Sequence, residues 1–314
     1  MAEVTAVETA PLWSVLLLAP VLWSLALGAA GLDAVLGAAL AGHPAPARQL
    51  LAPLREAAGL LVQQRRTTLA ADVPLWRAGT AGVLVAAVLA AAVVPLGSYA
   101  VADLGVGVVW FNAMEVLVWG ALWLAGWGCN AVYGLVGGYR FVAQGLAYEL
   151  PHMFALITAA LGARSLRVGD VVAAQSGLWF AAWMPVAFAV YLLSALAMAF
   201  WGPLAQPVAR DIAGGVQVEL AGVDRLVFLA GRYALLVVAA AFGAALFLGG
   251  GQGPLLPGWL WSLLKTLALV VVLVWARWRF PTIRMERFME LAWLLLIPAT
   301  LVQMLVVGVV VLRS

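Results

Sequence analysis

Residues 226–248 run for more than twenty positions with a single charged side chain, Arg232. A helix needs about 20 predominantly apolar residues to cross the hydrocarbon core of a bilayer. In lipid the backbone must satisfy its own hydrogen bonds, which restricts such a run to a helix or a closed barrel. Runs of this length exclude a barrel, whose strands are roughly half as long and alternate in polarity. Seven further stretches have the same character: 12–36, 78–96, 106–125, 147–161, 178–201, 259–274 and 291–312. The 147–161 run is short and is expected to extend back through 137–145, whereas 12–36 is long enough to tilt. The fold class expected is therefore an all-α integral membrane protein. It is read as one membrane domain over residues 1–314, with about eight transmembrane helices.

Composition excludes the soluble alternative. Charged residues make up 10% of the chain and apolar ones 66%, against roughly 25% charged in a soluble domain. The fifteen tryptophans suit the headgroup region. One cysteine, Cys129, leaves no intrachain disulfide or CxxC pair. Two distant histidines, His43 and His152, argue against a histidine metal site. The first twelve residues carry Glu3 and Glu8 and no Lys or Arg, the reverse of a cleavable signal's basic start, so the first run is read as a retained helix.

The arginines give a direction. With eight spans, the first, third, fifth and seventh loops hold twelve arginines, among them Arg55, Arg140, Arg210 and Arg277, while the opposite side holds Arg164, Arg167 and Arg313. The positive-inside rule then puts the odd loops in the cytoplasm and both termini outside, in a bacterial inner membrane. Topology thus accounts for the net charge of +3, and no nucleic-acid partner is needed. Within the first loop, residues 45–66 place Leu50, Leu51, Leu54, Ala57, Leu60 and Leu61 at helical spacing, opposite Arg55, Gln63 and Gln64. That pattern predicts an amphipathic helix lying in the interface.

Ionisable groups at membrane depth are costly and point to function by default. Glu149 begins the fourth span beside a face made of Arg140, Gln144 and Tyr148. It reads either as a proton-relay carboxylate or as an interfacial Glu paired with an arginine. Glu115 lies mid-span in the third run and Lys265 a third of the way into the seventh. The two are candidates for a pair across the bundle; otherwise Glu115 is a neutral, hydrogen-bonded carboxyl and Lys265 snorkels to the headgroups. Arg232 has the same snorkelling alternative. His152 reads as helix packing or as a titrating neighbour of Glu149. The glycine pairs 137–138 and 214–215 suit close backbone approach or a turn. GGGQG at 249–253 lacks the ending and the preceding strand of a phosphate loop.

Residues 126–149 (GWGCNAVYGLVGGYRFVAQGLAYE) carry a specific signature. With Gly126, Trp127, Asn130, Tyr133, Gly137, Arg140, Ala143, Gln144, Tyr148 and Glu149 in register, the stretch resembles the H-type subunit of bacterial NADH-quinone oxidoreductase, the respiratory complex I subunit 1 family. SLRVGDVVAAQ at 165–175 and WARWRFPTIRMERFM at 275–289 extend the resemblance, which covers roughly residue 54 to the C-terminus. It implies an eight-helix subunit without a redox centre of its own, both termini periplasmic. Its cytoplasmic loops and amphipathic helix would line a chamber for ubiquinone or menaquinone. Soluble iron–sulfur subunits would dock above that chamber, with other membrane subunits alongside. Carried over by position, the resemblance implies a proton relay of Glu149, Asp211, Glu219, Glu115 and Lys265. It implies a chamber lined by Arg140, Gln144, Tyr133, Tyr148, Arg277 and Arg284. The chain also departs from the family. The acidic fifth loop reads PLAQPVARDIAGGVQVELAG at 203–222, keeping Asp211 and Glu219 but losing other carboxylates. Arg232 stands where the family has a Glu, and the first-loop GPNRxGP signature is absent. This is the pattern of a diverged member. The readings that compete with it are the homologous subunit of a membrane-bound hydrogenase or formate hydrogenlyase, a non-conducting anchor for soluble subunits, and a stand-alone transporter.

Overall fold

The computed structural model describes residues 7–313; residues 1–6, Glu3 among them, and Ser314 lie outside the described residues. The chain is almost wholly helical: α1 (Ser14–Leu40), α2 (Ala52–Val62), α3 (Val73–Ala91), α4 (Gly107–Gly128), α5 (Val132–Ala163), α6 (Val168–Ala173), α7 (Phe180–Trp183), α8 (Pro185–Met198), α9 (Gly222–Phe247), α10 (Gly258–Arg279), α11 (Met285–Leu291) and α12 (Ile297–Arg313). Between α11 and α12 the helix continues through a π-helical turn, Ala292–Leu296. One two-residue parallel pairing, β1 (Glu8–Thr9) with β2 (Tyr99–Ala100), ties the N-terminal segment to the loop after α3.

Seven helices among the described residues are long and apolar enough to cross a membrane, counting 285–313 as one. The stretch expected as an eighth, 178–201, is broken into α7 and α8. Pro185 explains the break: it removes a backbone donor and forces Met184 out of helical geometry, to φ −120°, ψ 50°. The chain nevertheless changes ends here. Gln175 accepts the Gly249 amide in the turn after α9, while the Phe200 carbonyl receives Arg232 in the first half of α9. The fourth helix extends back as expected, and at 32 residues it reaches well beyond the hydrocarbon thickness. Expected residues 92–96 are not helical, since α3 stops at Ala91 before Pro95. In the first loop, a 3₁₀ turn over Pro46–Leu51 precedes α2. Leu60 is buried, and Leu50, Leu51, Leu54 and Leu61 form an uncovered apolar face.

Helix α9 is the hub, packing against α1, α2, α3, α8 and α10. Its alanine-rich second half lets neighbouring backbones approach closely, the usual basis of helix association in lipid. Small residues do the same between α3 and α4, where a Cβ on Gly79 would lie 2.3 Å from the Ala125 nitrogen. α4 packs in turn on α5, and α5 on α8 and α12.

Among the described residues the loops sort into two groups, each hydrogen-bonded within its own end. The first loop meets the third through Asp72 N–H donating to the Gly128 carbonyl at 2.8 Å. It meets the fifth through Gly222 N–H and Gln63 at 3.1 Å. The fifth meets the seventh through Ile283 N–H and Pro203 at 2.9 Å. At the other end, Val108 N–H donates to Leu166, Gly97 N–H to Ser262, and Gln252 to Val172. The first and last described segments sit with this second group. Glu8 bonds to Ser98, and Arg164 donates to Val311 at 2.5 Å.

Candidate functional site

Two helices build a polar interior inside this apolar bundle. On α4, Asn112, Glu115 and Trp119 recur at three- and four-residue steps and so share a face; on α5 the same holds for Gln144, Tyr148 and His152, with Glu149 beside them. The faces meet. Asn112 donates to Glu149 Oε1 at 2.5 Å, and Trp119 to the Tyr148 hydroxyl at 3.1 Å. His152 Nε2 lies 2.7 Å from Glu115 Oε2, each side chain only 1% exposed. Gln144 reaches away to the Ala197 carbonyl at 2.8 Å. Tyr191 of α8 closes the site, donating to the Ala239 carbonyl at 2.7 Å with its ring 5.4 Å from that of His152.

Burying an ionised carboxylate without a partner costs several kcal/mol, yet Glu115 and Glu149 sit one helix apart. Glu149 Oε2, Gln144 Oε1, both Glu115 oxygens and both His152 ring nitrogens are buried without a well-directed hydrogen bond among the described residues, the 2.7 Å His152–Glu115 approach being an ionic contact. Each orphaned group of this kind costs about 1–3 kcal/mol. A site built this way spends stability on groups that can take up or give up a proton.

A second cluster sits at the odd-loop end around a carboxylate whose two oxygens are both satisfied, although Arg232 Nε and Trp201 Nε1 beside it are buried without partners among the described residues. Asp33 of α1 accepts from Arg277 at 2.5 Å, from Tyr233 at 3.0 Å and from the Trp278 indole at 2.9 Å. Arg277 and Arg232 stack on the Trp201 ring at 4.9 and 4.7 Å, a cation–π arrangement. Arg232 also donates to the Phe200 carbonyl at 2.7 Å. Arg232 therefore does not snorkel; at 7% exposure it is enclosed, held by an aromatic face and a carbonyl. Sequence reasoning missed Asp33, although it lies inside the 12–36 run and meets the same test that singled out Glu115.

The other expected site residues are dispersed. Arg140 forms a two-point pair with Asp211, at 3.0 and 2.7 Å, and this hydrogen-bonded guanidinium holds the Asp211 carboxyl below its ordinary range. The pair fixes the fifth loop, a string of 3₁₀ turns, on α5. Gly137 admits that loop, since a Cβ there would fall 2.5 Å from the Pro207 carbonyl oxygen. Gly214 and Gly215 turn it at φ +104° and +54°. Glu219 is half-buried before α9 and joins no ion pair among the described residues. Tyr133 and Arg284 are exposed at the same end. Lys265 corrects an expectation. It neither pairs with Glu115 nor reaches out to headgroups, but donates to the carbonyls of Leu248, Gly250 and Gln252 at 2.5, 2.9 and 2.6 Å. Trp179 and Trp261 flank its ammonium. Three carbonyls freed by the turn after α9 offer it more than a distant carboxylate would, and Glu115 is taken by His152.

Long apolar helices enclosing ionisable side chains define a multi-pass membrane protein with a polar interior. The family described as NADH dehydrogenase matches residues 15–308, and the chain belongs to it. Among curated proteins, the H-type subunit 2 of the NADH-quinone oxidoreductase of Geobacter sulfurreducens is 36% identical, over 82% of each chain. The H-type subunit 1 of Geobacter metallireducens is 34% identical over the same shares. The H-type subunit of Geobacillus kaustophilus is 34% identical over 83% of this chain and 80% of its own.

Proposed function

We propose that the chain is the H-type membrane subunit of a complex I-like NADH-quinone oxidoreductase in the bacterial inner membrane, where it helps form the quinone chamber and couples quinone reduction to proton transfer. The observation that carries this reading is the Glu115/Glu149 pair, buried mid-bundle and incompletely satisfied. A mere anchor has no use for two such carboxylates, whose burial costs stability.

Quinone reduction consumes protons and changes charge at one end of the protein. The odd-loop end suits that task. It holds the Arg140–Asp211 pair, the exposed Tyr133 and Arg284, and the apolar face of α2. We place this end in the cytoplasm, beneath soluble iron–sulfur subunits, with both termini periplasmic; the twelve arginines of the odd loops support that orientation. Glu149 lies beyond Arg140 on α5, and His152, with Glu115 of α4 against it, follows one turn further along α5. Tyr148 stands beside that route on α5, and Gln144 begins the same helical face a turn earlier. Lys265, held by the carbonyls of the opposite end, orders a loop there and is left out of the path.

The experiment is Glu149→Gln in the assembled complex. Quinone-coupled proton pumping is expected to fall about tenfold or more, with assembly retained. Unchanged pumping would sink the relay and favour an anchor. For orientation, a cysteine placed in the 202–225 loop should resist labelling from the periplasm; rapid labelling there would invert the assignment.

A further inference from the structure

His152 has no place in the carboxylate path implied by the family resemblance, yet it occupies the centre of the buried site. Its Nε2 touches Glu115 Oε2 at 2.7 Å, and both side chains are enclosed. Neither ring nitrogen makes a well-directed hydrogen bond among the described residues, and Glu149 Oε2 is likewise buried and open. His152 and Glu149 are three residues apart on α5, which puts them on adjoining positions of one helical face. The remaining oxygen of Glu149 is occupied by Asn112. One imidazole nitrogen is thus in contact with one carboxylate, and the ring sits a turn along α5 from the residue that carries the open oxygen of the other.

We propose that His152 is the proton-carrying bridge between Glu149 and Glu115; this rests on the proton-coupling reading above. Imidazole suits the place because its two nitrogens can accept and release protons at opposite edges. Nδ1 takes the proton that leaves the Glu149 carboxyl, forming an O⁻ there and an imidazolium. The Nε2–H bond then breaks toward Glu115 Oε2, leaving a neutral ring protonated at Nδ1 and a neutral Glu115 carboxyl. One proton has moved, no electron has, and the ring resets by exchanging its tautomer. The ionisable groups around the ring are few: Tyr148 and Glu149 from α5, Glu115 from α4 and Tyr191 from α8. Helix α9 presents only Phe242 and its apolar neighbours there. Tyr191 donates to the Ala239 carbonyl, while Tyr148 accepts from Trp119 and keeps its own O–H, its ring 6.4 Å from that of His152.

The chain contains two histidines, so His43→Gln leaves a single imidazole to observe. The full-length protein, with ¹⁵N-labelled histidine, is reconstituted in lipid nanodiscs and its ring nitrogens are measured by NMR. The expected spectrum shows Nε2 hydrogen-bonded to a carboxyl, reverting to that of a free neutral imidazole in Glu115→Gln. Identical spectra with and without Glu115→Gln would overturn the proposal. In the assembled complex, His152→Gln keeps a hydrogen-bonding side chain without a titrating ring. Protons moved per electron should then fall about tenfold or more, while quinone reduction by the uncoupled complex changes less than twofold. Unaltered stoichiometry in His152→Gln alongside a loss in Glu149→Gln would discard the bridge and keep the relay. Unaltered stoichiometry in Glu149→Gln would discard the relay itself. If His152→Gln fails to assemble, the NMR comparison decides alone.

Discussion

The two buried polar clusters are made of similar groups, and their carboxylates are satisfied very differently. At the odd-loop end, Asp33 takes three donors on its two oxygens, and its arginine partner lies against a tryptophan face. Between α4 and α5, two carboxylates, an imidazole and an amide share too few partners, and several buried atoms bond to nothing. A fully paired buried ion is locked, because removing either partner strands the other. An under-paired cluster has room to change protonation without first breaking a lattice of bonds. The contrast separates residues that hold the bundle together from residues free to carry charge.

Breaking the locked cluster should have the largest effect on stability. Asp33→Asn leaves Arg277 without its anion and weakens the junction of α1, α9 and α10. We expect a loss on the order of 2–3 kcal/mol. That is below the roughly 3–5 kcal/mol of a wholly enclosed pair, because Arg277 is partly open to solvent. The midpoint of thermal unfolding of the purified chain in detergent reads it directly, and a shift no larger than that of a surface variant would remove the distinction between the clusters. Lys265→Ala should follow, at about 1.5–3 kcal/mol, since three carbonyls lose a charged donor. Its loss is expected to loosen the 249–257 turn, seen as faster amide exchange there. Slowed proton transfer without faster exchange would instead return Lys265 to the path.

Much of the fold was legible because lipid leaves few choices. Long apolar runs had to be helices, and the back-extension of α5 through residues 137–145 follows from the same rule. The break at Met184–Pro185 was written in the sequence too, but an apolar average over 178–201 conceals a single missing donor. The site was less legible. The shared face of Arg140, Gln144 and Tyr148 is periodicity on one helix and can be counted. By contrast, the partners of Asp33 lie 200 to 245 positions away, and nothing local announces them. Glu115 and Lys265 were candidates for each other by sign alone, while geometry gave Glu115 a histidine and Lys265 a ring of carbonyls. His152 was left open between packing and titration, because a lone histidine on an apolar face carries no signal until its neighbour across the helix is known.

The central claim is that Glu115 and Glu149 act as one unit in moving protons. The most direct measurement is the proton-to-electron ratio of the assembled complex in Glu115→Gln, in Glu149→Gln and in the double variant. Groups in series are strongly non-additive. The account predicts that each single variant loses pumping to the same low level and that the double variant falls no further. Two partial losses that add in the double variant, or singles that pump like the unaltered protein, would contradict it.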